Sequence, residues 1–324
     1  MTPYKNKKRI CVTLLVIILP ILLIWGWVRI QTKPVQVAKS TWPTWDYFEY
    51  VNTPHPWSAA QTLSFKTYPS YKQTLDSFIS NDSKIALLTI YEALIAYEKL
   101  KGDVVILLLL DYSIGSDGLV SQPEFSHPTH LKEKRIGVQK GSIAHFTLLK
   151  FIEKAGLSKT DVQIVFGSPE NLVEQFRLKS LDALSLYDPY LYQLQKESTA
   201  YNLLFSSKEM PRKICNIVMA RKSWAKSNKK IVTKIKEKWF RSTQIDNALF
   251  ALNLLPNYKD YKYIRHIQSQ IFLTGSMENY LAFGEKAKPG YLWTSIKEMT
   301  PFLKDNDILS KTFIGSPSIL FFDE

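Results

Sequence analysis

Two short polar stretches carry residue types suited to recognising a small charged molecule. One is DYSIGSDG, residues 111–118, directly after the apolar run VVILLLL; the other is KGSIAH, residues 140–145, between a strand-like and a helix-like segment. The second helix starts at Ile143, so the backbone N–H groups after Gly141 and Ser142 have no partner within it, and with the positive end of the helix dipole they suit an anion. Ser142 also has the residue type of an N-cap, and one helix start can serve both purposes. His145, in the first turn, is either a donor to the same anion or a packing residue. In the first stretch Asp111, Tyr112 and Ser113 fall at the carboxyl end of a strand, where open parallel sheets bind ligands. A plain surface turn is the alternative. A carboxylate beside an anion site is repulsive, so if both stretches face one cleft the ligand carries a donor or a cation as well as an acid.

Other candidates each have two readings. Thr89 and Glu92 form T-x-x-E, a capping box, and the same helix start can face a ligand. Trp42 and Trp45, in the loop after the first strand, either stack on an aromatic or heterocyclic solute or pack into the core. Asp188 before Pro189 reads as an N-cap with proline at the first helical position, which leaves Tyr187 to line the floor of a cleft.

These residues sit in an alternation of strand-like and helix-like segments. PVQVA, QTLSFK, KIALL and DVVILLLL read as strands, with helices TLDSFIS and TIYEALIAYEKLKG between them. A second set follows, with strands KRIGVQ, DVQIVF and LDALSL and helices SIAHFTLLKFIEKAG, PENLVEQFRLK and PYLYQLQKE. GLVSQPEF lies between the sets, and ICNIVMARKSW leads into a helical last third. Two α/β lobes joined by two crossings enclose a cleft. The unbroken Val, Ile and Leu of residues 104–110 call for cover on both faces, as in a parallel sheet flanked by helices.

The chain has 324 residues, 45% of them hydrophobic, enough for two cores. Its formal charge of +13 is concentrated in residues 208–241, where twelve Lys or Arg face Glu209 and Glu237. Within that segment Trp224, Ile231, Ile235 and Trp239 form the stripe of an amphipathic helix, whose basic face is either simply solvated or drawn to anionic lipid. No nucleic-acid motif accompanies the charge. After Lys5, Lys7, Lys8 and Arg9 come nineteen uncharged residues, 10–28, long enough to span a bilayer and lacking a small-residue cleavage site. The expected topology is a cytoplasmic basic segment (1–9), a transmembrane signal anchor (10–28) and everything from residue 34 on the periplasmic or extracellular side. Cys11 falls within the apolar run and Cys215 is alone in the rest of the chain, so neither a disulfide nor a zinc site is expected from two such distant cysteines. No phosphate-loop, Rossmann, zincin or nucleophile-elbow motif is present, so no catalytic residues, cofactor or metal are expected.

The segments STWPTW, KIALLTIYEAL, VVILLLLDYSIGSDGLV, LKEKRIGVQKGSIAHFTLLKFIEKAGLSKTDVQIVF and LDALSLYDPYL resemble the extracytoplasmic solute-binding proteins of the nitrate, sulfonate, taurine and pyrimidine-precursor ABC importer group. The resemblance spans residues 34–240. It implies a two-lobed type II periplasmic-binding fold whose two crossing strands form a hinge, with lobe one from 34–120 and 221–324 and lobe two from 121–220. It also implies a small-molecule solute, a permease partner and an aromatic before the acidic-Pro pair, a place that Tyr187 fills. Trp42, Thr89, Asp111, Tyr112, Ser113, Gly141, Ser142, Ile143, His145, Tyr187 and Asp188 are then the candidate ligand-binding set. Between Lys39 and Gln61 the resemblance implies a helix ending in a glycine turn, and this chain has STWPTWDYFEYVNTPHPWSAA instead. An anchored sensor or orphan binder is the alternative function, and an enzyme like the pyrimidine synthases a more distant one.

Overall fold

The computed structural model describes residues 34–53, 63–198, 200–245, 248–255 and 258–321. The apolar run 10–28 lies outside them; among the described residues no helix is long and apolar enough to cross a membrane.

The chain opens with β1 (Val35–Lys39), α1 (Pro43–Asn52), β2 (Leu63–Thr67), α2 (Tyr71–Ile79), β3 (Ile85–Thr89), α3 (Ile90–Lys99) and β4 (Val104–Ser113). The next part holds β5 (Asp117–Ser121), β6 (Arg135–Val138), α4 (Ile143–Lys154), β7 (Gln163–Phe166), α5 (Pro169–Arg177), β8 (Ala183–Tyr187), α6 (Tyr190–Glu197) and β9 (Asn202–Ser206). It ends with β10 (Cys215–Arg221), α7 (Lys222–Ser227), α8 (Lys229–Ser242), α9 (Tyr261–Gln270), β11 (Ile271–Leu273), α10 (Ser276–Phe283) and, after a two-stranded turn, α11 (Tyr291–Asp305). One sheet has six strands in the order β11-β4-β10-β3-β1-β2, the other five in the order β7-β6-β8-β5-β9. The chain leaves the first sheet between Ser113 and Asp117 and returns between Ser206 and Cys215, which puts β5 in the second sheet and β10 in the first.

β4 is covered on both faces, but not by parallel pairing. Its neighbours β10 and β11 both run antiparallel to it, because what a fully apolar strand requires is cover on each side rather than a strand direction. Val104, Ile106 and Leu109 enter one core, Val105, Leu107, Leu108 and Leu110 the other. Leu107 and Leu108 fall on one side because the register with β10 slips there, and a second slip follows at Leu110. The strand also continues through Asp111, Tyr112 and Ser113, all three buried, instead of ending before them.

A helix does occupy residues 43–52. Pro43 at its first position is preset for helical φ, and the buried face holds Trp45, Tyr47 and Phe48. Trp45, expected beside Trp42 in a loop, is therefore a fully buried helix residue. α8 turns Val232, Ile235 and Trp239 inward, and the Trp239 indole N–H donates to the Thr274 carbonyl at 2.9 Å. Cys215, at the start of the central strand β10, is fully buried, its Sγ directed at the Arg212 carbonyl, and burial drives its thiol far above the usual range.

Candidate functional site

Helix starts from both sheets meet at one cavity of about 700 Å³. α2 contributes Ser70, Tyr71 and Lys72, α4 is preceded by Lys140, Gly141 and Ser142, and α5 brings Ser168, Pro169 and Glu170. Each helix is capped by its serine: Ser70 accepts from the Gln73 N–H, Ser142 from His145 and Ser168 from Asn171. A serine oxygen satisfies one N–H of the four left over at each start, and the positive dipole ends remain directed at one space. Lys72 and Lys140 add charge to the same wall, while Glu92, Glu170 and Asp188 line it as carboxylates. Those acids already have partners. Glu92 closes the capping box with Thr89, Glu170 accepts from the Tyr190 hydroxyl, and Asp188 accepts from the Tyr192 N–H and meets His266 Nε2 at 2.9 Å.

Beneath this cavity is a void of about 10 Å³, room for about one water. Trp42, Tyr71, Thr89, Asp117, Ile143, Tyr187, Ile214 and Asn216 line it. Tyr71 and Tyr187 border both spaces and stack across the gap with ring centres 5.9 Å apart, and Trp45 supports Tyr71 edge-on at 5.2 Å. The Tyr91 hydroxyl donates to the Gly141 carbonyl and makes a second bridge between the halves. Gly141 has φ +63°, which glycine adopts freely.

The candidates from sequence separate into two groups. Gly141, Ser142, Tyr187 and Asp188 line the larger cavity, and Trp42, Thr89, Ile143 and Tyr187 line the void. The other four are turned elsewhere. Asp111 is fully buried and accepts from the Trp42 indole, the Thr44 hydroxyl and, at 2.8 Å, Asn216; burial raises its carboxyl to about 6 against the pull of those bonds. The second register slip in β4 puts its side chain on the α1 side of the sheet, where the first turn of α1 supplies donors. Tyr112 stacks on Phe272 at 4.9 Å. Ser113 bonds Ser207 at 2.6 Å, and the same Ser207 oxygen accepts from the Gly115 N–H, so the two crossings are tied together. His145 packs edge-on against Phe166 and Phe302, and its Nδ1 faces the Gly141 N–H at 3.4 Å. Burial, then Lys159 and Lys140, lower it to about 4, so it is neutral at physiological pH. Asp188 is not the residue flanking α6, a place taken by Pro189, though its side chain still accepts from the first turn.

Sequence reasoning missed Tyr71, Lys72, Ser70, Ser168 and Asp117. Ser168-Pro169 is a readable N-cap and first-position pair, and Ser70 precedes a periodic helix. Asp117 had no such signal. It is buried to 2% exposure, and burial raises its carboxyl to about 7, with a Ser113 hydrogen bond opposing and the charges of Asp188 and Asp111 adding to the rise.

The NMT1-like family model matches residues 69–248, more than half of the chain and including every element around the cavity except the start of lobe one. The chain belongs to the NMT1-like family. This NMT1-like protein is 34% identical over 80 residues to a binding protein of Brucella abortus (strain 2308), 24% of this chain and 25% of that one. It is 37% identical over 60 residues to an Escherichia coli (strain K12) protein named for binding aliphatic sulfonates, 18% of this chain and 19% of that one. These alignments thus span about a quarter or less of the curated relatives' length. Its structure is similar to that of the periplasmic aliphatic sulphonate binding protein of Escherichia coli, with a TM-score of 0.64 at 13% identity, covering 86% of this chain and 94% of that one. At that identity the likeness establishes the fold, the α/β fold of periplasmic binding proteins. Among the described residues no group of three His, Cys, Asp or Glu is placed to hold a metal ion.

Proposed function

We propose that this protein binds a small anionic or zwitterionic solute between its lobes, outside the cytoplasm, and delivers it to an ABC permease. One observation carries the reading: the starts of α2, α4 and α5, with Lys72 and Lys140, converge on one cavity of about 700 Å³. An acid group there meets several dipole ends and two cations at once. A donor or amino group on the same solute meets Glu170, Asp188 or, once the Tyr71–Tyr187 pair parts, Asp117. Tyr71 and Tyr187 offer flat faces to any ring the solute carries. The names of the relatives, which refer to binding and to sulfonates, support solute capture over turnover, and residues 10–28 supply the membrane anchor in this reading.

A thermal-shift screen of the full chain against sulfonates, nitrate, amino acids and pyrimidines tests it. A solute at a hundredfold excess over its Kd adds about 2.7 kcal/mol, hence a rise of several degrees. The shift is expected to vanish in Ser142→Pro, which removes the hydroxyl and one backbone donor, and to shrink in Lys72→Ala and Lys140→Ala. A hit that survives all three in folded variants puts the site elsewhere, and a hit returned chemically altered overturns binding without turnover.

A further inference from the structure

A large share of the positive charge begins where the chain enters the first sheet, at the end of the strands opposite this cavity. Lys84 N–H donates to the Gln36 carbonyl at 3.1 Å, Arg221 N–H to Lys84 at 3.2 Å and Lys222 N–H to Asp103 at 3.3 Å. These bonds gather the starts of β1, β3 and β4 and the end of β10 at one end of the strands, the entry edge. The cavity is at the opposite edge, where β3 ends at Thr89. α7 begins on the entry edge and α8 runs back from it. Between residues 222 and 242 there are eight Lys or Arg and a single acid, Glu237.

The layout of that charge is costly for the protein in isolation. Lys230, Lys234 and Lys238 are exposed at spacings of four, one row along α8 in which like charges repel. Lys229 and Lys230 occupy the first turn, at the positive end of the dipole, with no acidic residue there and no side-chain cap from Asn228. Lys101 and Lys226 extend the exposed basic surface around the edge. The inward stripe Val232, Ile235 and Trp239 accounts for the core packing of α8, so packing does not explain its outer face.

We infer that this basic corner, the entry edge together with the outer face of α8, docks on an anionic lipid bilayer. Two observations select that partner: charge complementarity, and the short stretch of chain between residue 28 and Val35, where β1 begins. Six residues of any conformation reach at most roughly 20 Å. If residues 10–28 span the membrane, as the proposed function has it, that reach must first clear a headgroup layer of about 5–8 Å. The entry edge is then held within about one to two Debye lengths of the lipid charges, where Lys and Arg still feel them. Docked in this way, the lobe turns the opposite edge and the cavity away from the bilayer. The proposal rests on the anchor reading for its reach, and on the charge layout independently.

The test uses the full chain reconstituted in vesicles of phosphatidylcholine alone or with phosphatidylglycerol. Carbonate extraction reports the anchor, and hydrogen exchange of residues 222–238 reports the docking. The expected result is slowed exchange only with phosphatidylglycerol, reversed by salt and absent in a Lys229→Glu, Lys230→Glu, Lys234→Glu variant, with a loss of roughly fivefold in protection per cation removed. Thermal unfolding of that variant in solution should come at or above the parent's temperature, since Glu relieves the repulsion and suits the helix start, which separates lost docking from lost fold. Equal exchange in both vesicles with the chain resisting carbonate overturns the docking and leaves the anchor standing. If carbonate strips the chain, flotation decides: salt-sensitive flotation with anionic vesicles alone upholds the docking, and no flotation overturns it. Protection by duplex DNA in place of anionic vesicles also overturns it.

Discussion

DYSIGSDG and KGSIAH look alike as sequence, each polar and small after a buried strand, yet the structure puts them to opposite uses. KGSIAH stays at the end of its strand and starts a helix, so Lys140, Gly141 and Ser142 line the open cavity. DYS is still strand, and a register slip turns Asp111 into the core to gather three donors, from Trp42 just before α1, Thr44 in it and Asn216 in β10. Polarity at a strand end therefore does not say which way it points. The hydrogen-bond register of the neighbouring strand does, and that register comes from residues a hundred positions away.

The largest effect that can break this comparison is expected from Asp111→Ala. Removing the shared acceptor leaves the Trp42, Thr44 and Asn216 donors unmet in a buried site, for a loss of about 3–5 kcal/mol in urea unfolding. Solute affinity per folded molecule should hold. A variant of normal stability that loses its solute would put Asp111 in the cavity wall after all.

Asp117 sharpens the contrast, since its buried carboxyl has only Ser113 opposing the rise to about 7. Its folded pKa lies above the unfolded value, so its contribution is complete below about pH 4 and lost as pH rises through about 7. Asp117→Asn removes this loss, and at pH 8 it should be more stable than the parent by about 2–4 kcal/mol, with the difference closing by pH 4. A difference between parent and variant that does not vary with pH would show that Asp117 is ionised in the fold at all these pH values.

Smaller effects are expected at the other stretch. Gly141→Ala forces a side chain to φ +63° with its Cβ 3.3 Å from the Tyr91 hydroxyl, a cost of about 1–2 kcal/mol, together with weaker solute binding. Lys72→Ala should change stability least, within about 0.5 kcal/mol, since its pair with Asp76 is an exposed one, and still reduce affinity for an acid. Equal affinity in parent and variant would remove Lys72 from the solute's surroundings.

Much of the fold was legible, because hydrophobic period and capping residues are local. The Thr89–Glu92 box, the Ser142 cap and the Ile235 and Trp239 part of the α8 stripe came from neighbours in sequence, whereas Val232 is the inward residue in place of half-buried Ile231, and Trp224 belongs to α7. The antiparallel placement of β4 was not, since seven apolar residues say only that both faces are covered. At the site, the helix start at Gly141 and Ser142 and the position of Tyr187 were readable. Tyr71 was not, because its partner Tyr187 is over a hundred residues away and the stack exists only when the halves meet. The helix at 43–52 shows the reverse error: aromatic and proline content suggested a loop, but Pro43 at a first position starts a helix and the aromatics are its buried face.

Cys215 gives the first lobe a native stopwatch. Its thiol is closed off in the central strand beside the second crossing, and only a thiolate reacts with alkylating or disulfide reagents. Labelling must wait until the start of β10 comes away from β4, so the labelling rate relative to a free thiol counts how often that end of the sheet opens. Followed by mass on the peptide that holds Cys215, apart from the one with Cys11, with and without a candidate solute, this sulfur would report on breathing of the first sheet, with no probe added to the protein.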